Sequence, residues 1–152
     1  MPSATTTHPS DFEPARLRDT LARAVAGVPG VRAAWLFGSW AEGRATRWSD
    51  VDLAVSVDPE ADPAAVRLAV LTQLVAQGID DADVVVLEQA PPVLRFEAVR
   101  HNQLVFVRSD VDAASTVSRI LREWFDLEPL LAPQRAALRA RLLASPTATA
   151  EP

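Results

Sequence analysis

The sequence has no cysteine and no tyrosine among its 152 residues, only one methionine, and no lysine, since all fifteen basic residues are arginine. The absent cysteine excludes disulfides and thiolate metal sites. The absent lysine removes a lysine nucleophile and a P-loop lysine from consideration. No apolar run approaches the roughly 18 residues of a membrane span. The opening stretch "MPSATTTHPS" lacks the basic region and apolar core of a signal peptide. A cytoplasmic protein with no membrane contact is therefore expected. What is present is an ordinary globular composition, 49% apolar and 23% charged. The length suits one domain with a real core, read as residues 10–144 between Thr/Ala/Pro-rich tails at 1–9 and 145–152.

Net charge is −5, but residues 50–97 hold ten acids and two arginines, a local balance of −8. Such a segment repels nucleic acid unless cations intervene, so no direct nucleic-acid binding is expected. A solvated acidic face is the plainer reading of scattered charges.

Hydrophobic periodicity predicts the order α-β-β-α-β-α-β-α-α, an α/β or α+β sandwich around one mixed sheet of four strands. "SDFEPARLRDTLARAVAGVPG" reads as the first helix. Ser10 and Glu13 have capping-box spacing, and Leu17, Leu21, Ala24, Val25 and Val28 form one apolar face. Strands are expected at 31–37, 51–57, 82–87 and 103–107. Asp62-Pro63 opens a second helix that runs to Gln77 and stops at Gly78. Pro91-Pro92 starts a short one to about His101, closed by Asn102 in a left-handed conformation. The last two helices are expected over about 110–126 and 133–143, separated by Pro129 and Pro133. Trp124 and Phe125 sit at helical spacing with Val117, Ile120 and Leu121 and read as core.

One stretch resists a purely structural account. In "WLFGSWAEGRATRWSDVDLAV" the second strand opens with Asp50 and Asp52, and residues two apart in a strand share a face. Two carboxylates that close raise each other's pKa. A divalent cation reverses that interaction, and hard oxygen ligands suit Mg²⁺ or Mn²⁺ with phosphate oxygens completing the shell. Asp83 opens a later strand and reaches the same place if that strand lies beside residues 51–57. Three such carboxylates make a two-metal site for in-line displacement at phosphorus. Gly38 lets the backbone approach a ligand, and Ser39 begins a helical turn, through about Glu42, whose N–H groups and hydroxyl suit terminal phosphates. Arg44 and Arg47 are nearby cations for phosphate, although each reads more readily as a surface residue. His8 and His101 have no ligand set around them and are assigned no chemistry.

Gly38-Ser39, ten intervening residues and then Asp50-Val51-Asp52 resemble the G-S-x10-D-x-D signature of the nucleotidyltransferase superfamily related to DNA polymerase beta. Ala41, Gly43, Ala45, Ser49 and Leu53 fall in register with its minimal nucleotidyltransferase (MNT) branch. "DADVVVLEQAPPVLRFEAVRHNQLVFVRSD" is similar to that branch's third-aspartate strand, short helix and closing strand, so the resemblance spans roughly 14–130. Asn102 stands where a turn glycine is expected, and Trp40 fills a slot that is often basic.

The resemblance implies a nucleotidyltransferase fold with C-terminal helices, and transfer of AMP from ATP with two Mg²⁺ ions, or Mn²⁺. Asp50, Asp52 and Asp83 would be the catalytic metal ligands; Gly38 and Ser39, with Arg44 and Arg47, would bind the nucleotide. It further implies the antitoxin role of a HEPN/MNT pair. The acceptor would be a tyrosine of a HEPN-domain ribonuclease toxin held in a hetero-oligomer. Having no tyrosine, the chain cannot modify itself there. Two alternatives remain open. One is a small-molecule transferase of the aminoglycoside kind, for which about forty residues after the last strand leave little pocket. The other is an antitoxin acting by contact alone.

Overall fold

The computed structural model describes residues 13–144. The tails expected at 1–9 and 145–152, with His8 and the Ser10 half of the capping box, lie outside the described residues. The first helix, α1 (Pro14–Ala26), begins at a proline in its first turn with Glu13 as N-cap, and no side chain caps it. Next come β1 (Val31–Phe37), a one-turn helix α2 (Gly38–Ala41), β2 (Val51–Val57) and α3 (Pro63–Ala76). Asp62 caps α3 by accepting from the Ala64 N–H at 3.0 Å. β3 (Ala82–Val86) is one residue shorter than expected, because Leu87–Gln89 forms a 3-10 turn. α4 (Pro92–Val99), β4 (Leu104–Val107) and α5 (Ala113–Ala144) complete the chain. Asn102 is left-handed, as its position after α4 predicted, with φ 48°.

The sheet is mixed, as expected, in the order β3-β2-β1-β4. β1 runs antiparallel to both β2 and β4, while β2 and β3 are parallel. Alternation then sorts the side chains. Leu36, Leu53, Val55, Val84 and Val86 pack with Leu17, Leu21 and Val25 of α1 and Val66, Val70 and Leu74 of α3. Trp35 and Ala54 face the other way, against Val99 of α4 and Ile120 of α5. Asp52 shares the parity of Ala54, so it projects on the α4/α5 face, at the end of the strand where that layer stops.

The two C-terminal helices expected from the prolines are one. α5 runs 32 residues with Pro129 and Pro133 inside it. Each proline removes one N–H, which frees the carbonyls of Phe125 and Pro129. From Glu128 onward every residue of α5 except Leu131 is exposed, so water reaches those carbonyls. The following "QRAALRARLLA" is rich in strong helix formers. Trp124 is buried as expected, with its ring stacked on Phe96 at 4.8 Å, whereas Phe125 is 60% exposed. One residue along a helix turns the side chain by about 100°, off the buried stripe.

Among the described residues, Ser56 Oγ and Trp35 Nε1 are buried without a hydrogen-bond partner. A buried hydroxyl left unpaired carries an uncompensated desolvation cost. Ser56→Ala is therefore expected to stabilise the fold by about 1 kcal/mol. Urea denaturation would show a higher midpoint at unchanged slope; a lower midpoint would mean that the hydroxyl is satisfied in solution.

Candidate active site

Strand pairing builds the site. β1 ends at Phe37, whose partner on β2 is Asp52, and across the parallel pair Asp52 lies opposite Asp83. The two aspartates that the sequence separates by thirty-one positions are thus in register on neighbouring strands. Asp50 precedes β2 and is exposed. Burial raises the Asp52 carboxyl above its ordinary pKa, and the charges of Asp83 and then Asp50 raise it further. Among the described residues, no cation or donor offsets these effects. Asp83 is more exposed and has a partner: Arg67 of α3 donates through Nε to the Val84 carbonyl at 2.7 Å and reaches Asp83 Oδ1 through Nη2 at 3.4 Å.

Gly38 sits against Asp52. Its φ is +66°, and a Cβ there would overlap an Asp52 carboxylate oxygen and stand 3.0 Å from the carboxyl carbon. Glycine is thus required twice, for the backbone conformation and for the close approach. The turn that follows is tied by Glu42 N–H to Gly38 O (3.1 Å) and Arg44 N–H to Ser39 O (2.9 Å). The loop to Asp50 is closed by Ser49 N–H to Thr46 O (3.0 Å) and Thr46 N–H to Ser49 Oγ (2.9 Å). Trp40, in the slot often basic in the MNT branch, donates its indole N–H to the Ser49 carbonyl at 3.4 Å. It therefore braces the loop that carries the chain into Asp50.

Of the sequence-derived candidates, the structure brings Gly38, Asp52 and Asp83 together, with Ser39 next to Gly38 and Asp50 two residues before Asp52. Among the described residues, no three His, Asp or Glu side chains are grouped so as to hold a metal ion, so the expected three-carboxylate set is not assembled and the Asp52–Asp83 pair is what the strands bring together. Mg²⁺ does not need three: it typically takes one or two carboxylates and completes its shell with waters and substrate phosphates. An open pair of hard oxygen ligands beside the Gly38–Ala41 turn fits that ion. The two arginines are engaged elsewhere. Arg44 pairs with Glu42, and the Arg47 guanidinium lies 4.3 Å over the exposed Trp48 ring. Sequence reasoning missed Arg67 and the pairing of Glu42 with Arg100 and His101, because those partners come from elements distant in the chain.

The family model for polymerase beta nucleotidyltransferases matches residues 19–111, more than half of the chain, a range that includes Gly38, Ser39, Asp50, Asp52 and Asp83. The chain belongs to that family. This nucleotidyltransferase also resembles solved structures of toxin–antitoxin complexes. With one bound to AMP-PNP it shares 21% identity at TM-score 0.63, over 82% of this chain and 98% of that one. With an MntA complex carrying two aspartate-to-glutamate substitutions it shares 21% at TM-score 0.62, over 86% and 99%. A third is the tri-AMPylated Shewanella oneidensis HEPN toxin in complex with MNT antitoxin, at 21% and TM-score 0.54, over 80% and 90%. At such identities the likeness shows the fold. No curated protein matches the chain. No helix among the described residues is long and apolar enough to cross a membrane.

Proposed function

We propose that this nucleotidyltransferase is the antitoxin of a HEPN/MNT pair, transferring AMP from ATP to a tyrosine hydroxyl of its cognate HEPN toxin. The observation that carries the reading is the Asp52–Asp83 pair in register beside Gly38. Burial of a carboxylate next to two others costs stability, and a divalent cation with a polyphosphate is the ligand class that relieves it. The solved complexes of the same fold, one with AMP-PNP and one with a tri-AMPylated toxin, support the nucleotide and the acceptor class.

In this reading Asp50 and Asp52, with Asp83, would hold two Mg²⁺ ions, and Gly38 and Ser39 would receive the phosphates. Bound Mg²⁺ would supply positive charge against the charge that develops on the phosphoryl oxygens and on pyrophosphate. The chain's own contribution is placement. Asp83 accepts the proton of the acceptor hydroxyl while Arg67 holds its carboxylate in position. The acceptor oxygen bonds to the α-phosphorus, the bond to the bridging oxygen breaks, and pyrophosphate leaves. Arg44 and Arg47 serve the nucleotide only by leaving Glu42 and Trp48.

Intact-mass measurement tests the reading. The protein, the product of the neighbouring coding region, Mg²⁺ and each nucleoside triphosphate are combined separately, beside an Asp50→Asn/Asp52→Asn control. The expected result is a gain of one or more AMP on the partner with ATP and none in the control. Tight binding without any mass change would replace it with inhibition by contact. Neither binding nor modification would point to a small-molecule acceptor.

A further inference from the structure

The Glu42 carboxylate is the most heavily paired acidic group beside the site, and it is largely buried, its side chain 16% exposed. Its Oε1 accepts from Arg100 Nη2 at 2.7 Å and stands 3.4 Å from His101 Nε2, while Oε2 pairs with Arg44. Arg100 lies fifty-eight positions along the chain, just past α4, and its Nε also meets Glu97 at 2.7 Å. Glu42 itself closes α2, its N–H bonded back to Gly38 O. β1–β4 pairing, with Leu36 N–H on the Gln103 carbonyl at 2.9 Å, brings the two segments near each other, and the Glu42–Arg100 contact is the side-chain tie between the turn carrying Gly38 and Ser39 and the end of α4.

A four-residue helix has too few hydrogen bonds to hold its own conformation. The turn has no buried residue of its own, although Trp40 and Ala41 pack partly against the α1/α3 core. Its orientation decides where Gly38 lies against Asp52. We infer that Glu42 is a positioning residue for nucleotide binding: through Arg100 it clamps the Gly38–Ala41 turn to α4 and so fixes the turn against Asp52. It also holds Arg44 against the turn. None of these groups needs to touch the nucleotide, since the clamp acts by removing the freedom that binding would otherwise have to freeze out. The inference rests on the nucleotidyl-transfer reading.

The test measures Mg²⁺–ATP affinity by calorimetry on wild type, Glu42→Ala, Glu42→Gln, Arg100→Ala and the Glu42→Ala/Arg100→Ala double variant, with AMP-transfer kinetics beside it. Glu42→Ala and Arg100→Ala are each expected to weaken ATP binding about tenfold, raising KM for ATP more than they lower kcat. The double variant is expected to be no worse than either single one, because both remove the same clamp. Glu42→Gln keeps an oxygen for Arg100 and is expected to stay within about threefold of wild type. Should Glu42→Ala fail to fold, Arg100→Ala and Glu42→Gln carry the comparison. Unchanged ATP affinity in a folded Glu42→Ala or Arg100→Ala protein overturns the clamp alone. A wild type that binds no nucleoside triphosphate overturns the transfer reading and the clamp together.

Discussion

Asp52→Asn is expected to cut AMP transfer severely and, in the metal-free protein, to raise the thermal midpoint at neutral pH. Both effects have one cause. The Asp52 carboxyl is partly buried beside Asp83 and Asp50, and all three influences push its pKa up. The folded state therefore binds the Asp52 proton more tightly than the unfolded chain does. That group's contribution to stability is full below its ordinary value of 3.8, and it is lost as pH rises through the higher folded value. At neutral pH the wild type carries the whole cost of the charge, and asparagine, an uncharged isostere, removes it. Transfer should fall on the order of 10³-fold, the scale seen when one electrostatic stabiliser of a transition state is deleted. Melting curves across pH 3 to 8 in chelator should converge at the acid end and separate above it. A variant less stable than wild type at neutral pH would show that the carboxylate has a partner in solution, and a variant that transfers AMP at the wild-type rate would remove Asp52 from the chemistry.

Much of this site was legible in the sequence because its parts are local. Gly38-Ser39 and Asp50/Asp52 flank one connection between two apolar runs; the period-2 rule placed both acids on one face, although β2 starts at Val51 and leaves Asp50 outside the strand. Asp83 was legible only conditionally. Its place opposite Asp52 depends on β3 pairing in parallel with β2, a choice that no residue within either strand encodes. The same limit hid Arg67, sixteen residues before its partner, and Arg100, fifty-eight residues from Glu42. His101, assigned no chemistry from sequence, proves to face Glu42 because the α4 end folds back over the α2 turn. The C-terminal helix failed for a different reason. Pro129 and Pro133 do act as breakers of two intrahelical bonds, but in an exposed helix water takes the freed carbonyls and the flanking alanines, leucines and arginines carry the conformation through. The rule that reads proline as a boundary assumes that those groups have nowhere else to go.

Gly38→Ala tests how tightly the site is built. The substitution places a Cβ on a residue at φ +66°, which costs an L-residue roughly 1–2 kcal/mol by itself. It also puts that carbon into the space of the Asp52 carboxylate, whose carbon would stand only 3.0 Å away. Asp52 begins a strand with Val51 and Leu53 fully buried on either side, so its backbone cannot yield, and the side chain must rotate instead. Rotation carries the carboxylate away from its place opposite Asp83. The expected result is a loss of stability larger than the backbone figure and a fall in transfer on the order of 10²-fold, the scale of an ångström misplacement. The two contributions separate in a double-mutant cycle. With Asp52→Ala already present the carboxylate is gone, so Gly38→Ala should then cost little more than the backbone conformation, and the difference between the two backgrounds measures the clash. Equal costs in both would mean that Asp52 is free to move, and a mobile Asp52 could not be the fixed ligand that the transfer reading requires. A large coupling would show that this glycine is selected by the carboxylate beside it as much as by its own dihedral angle.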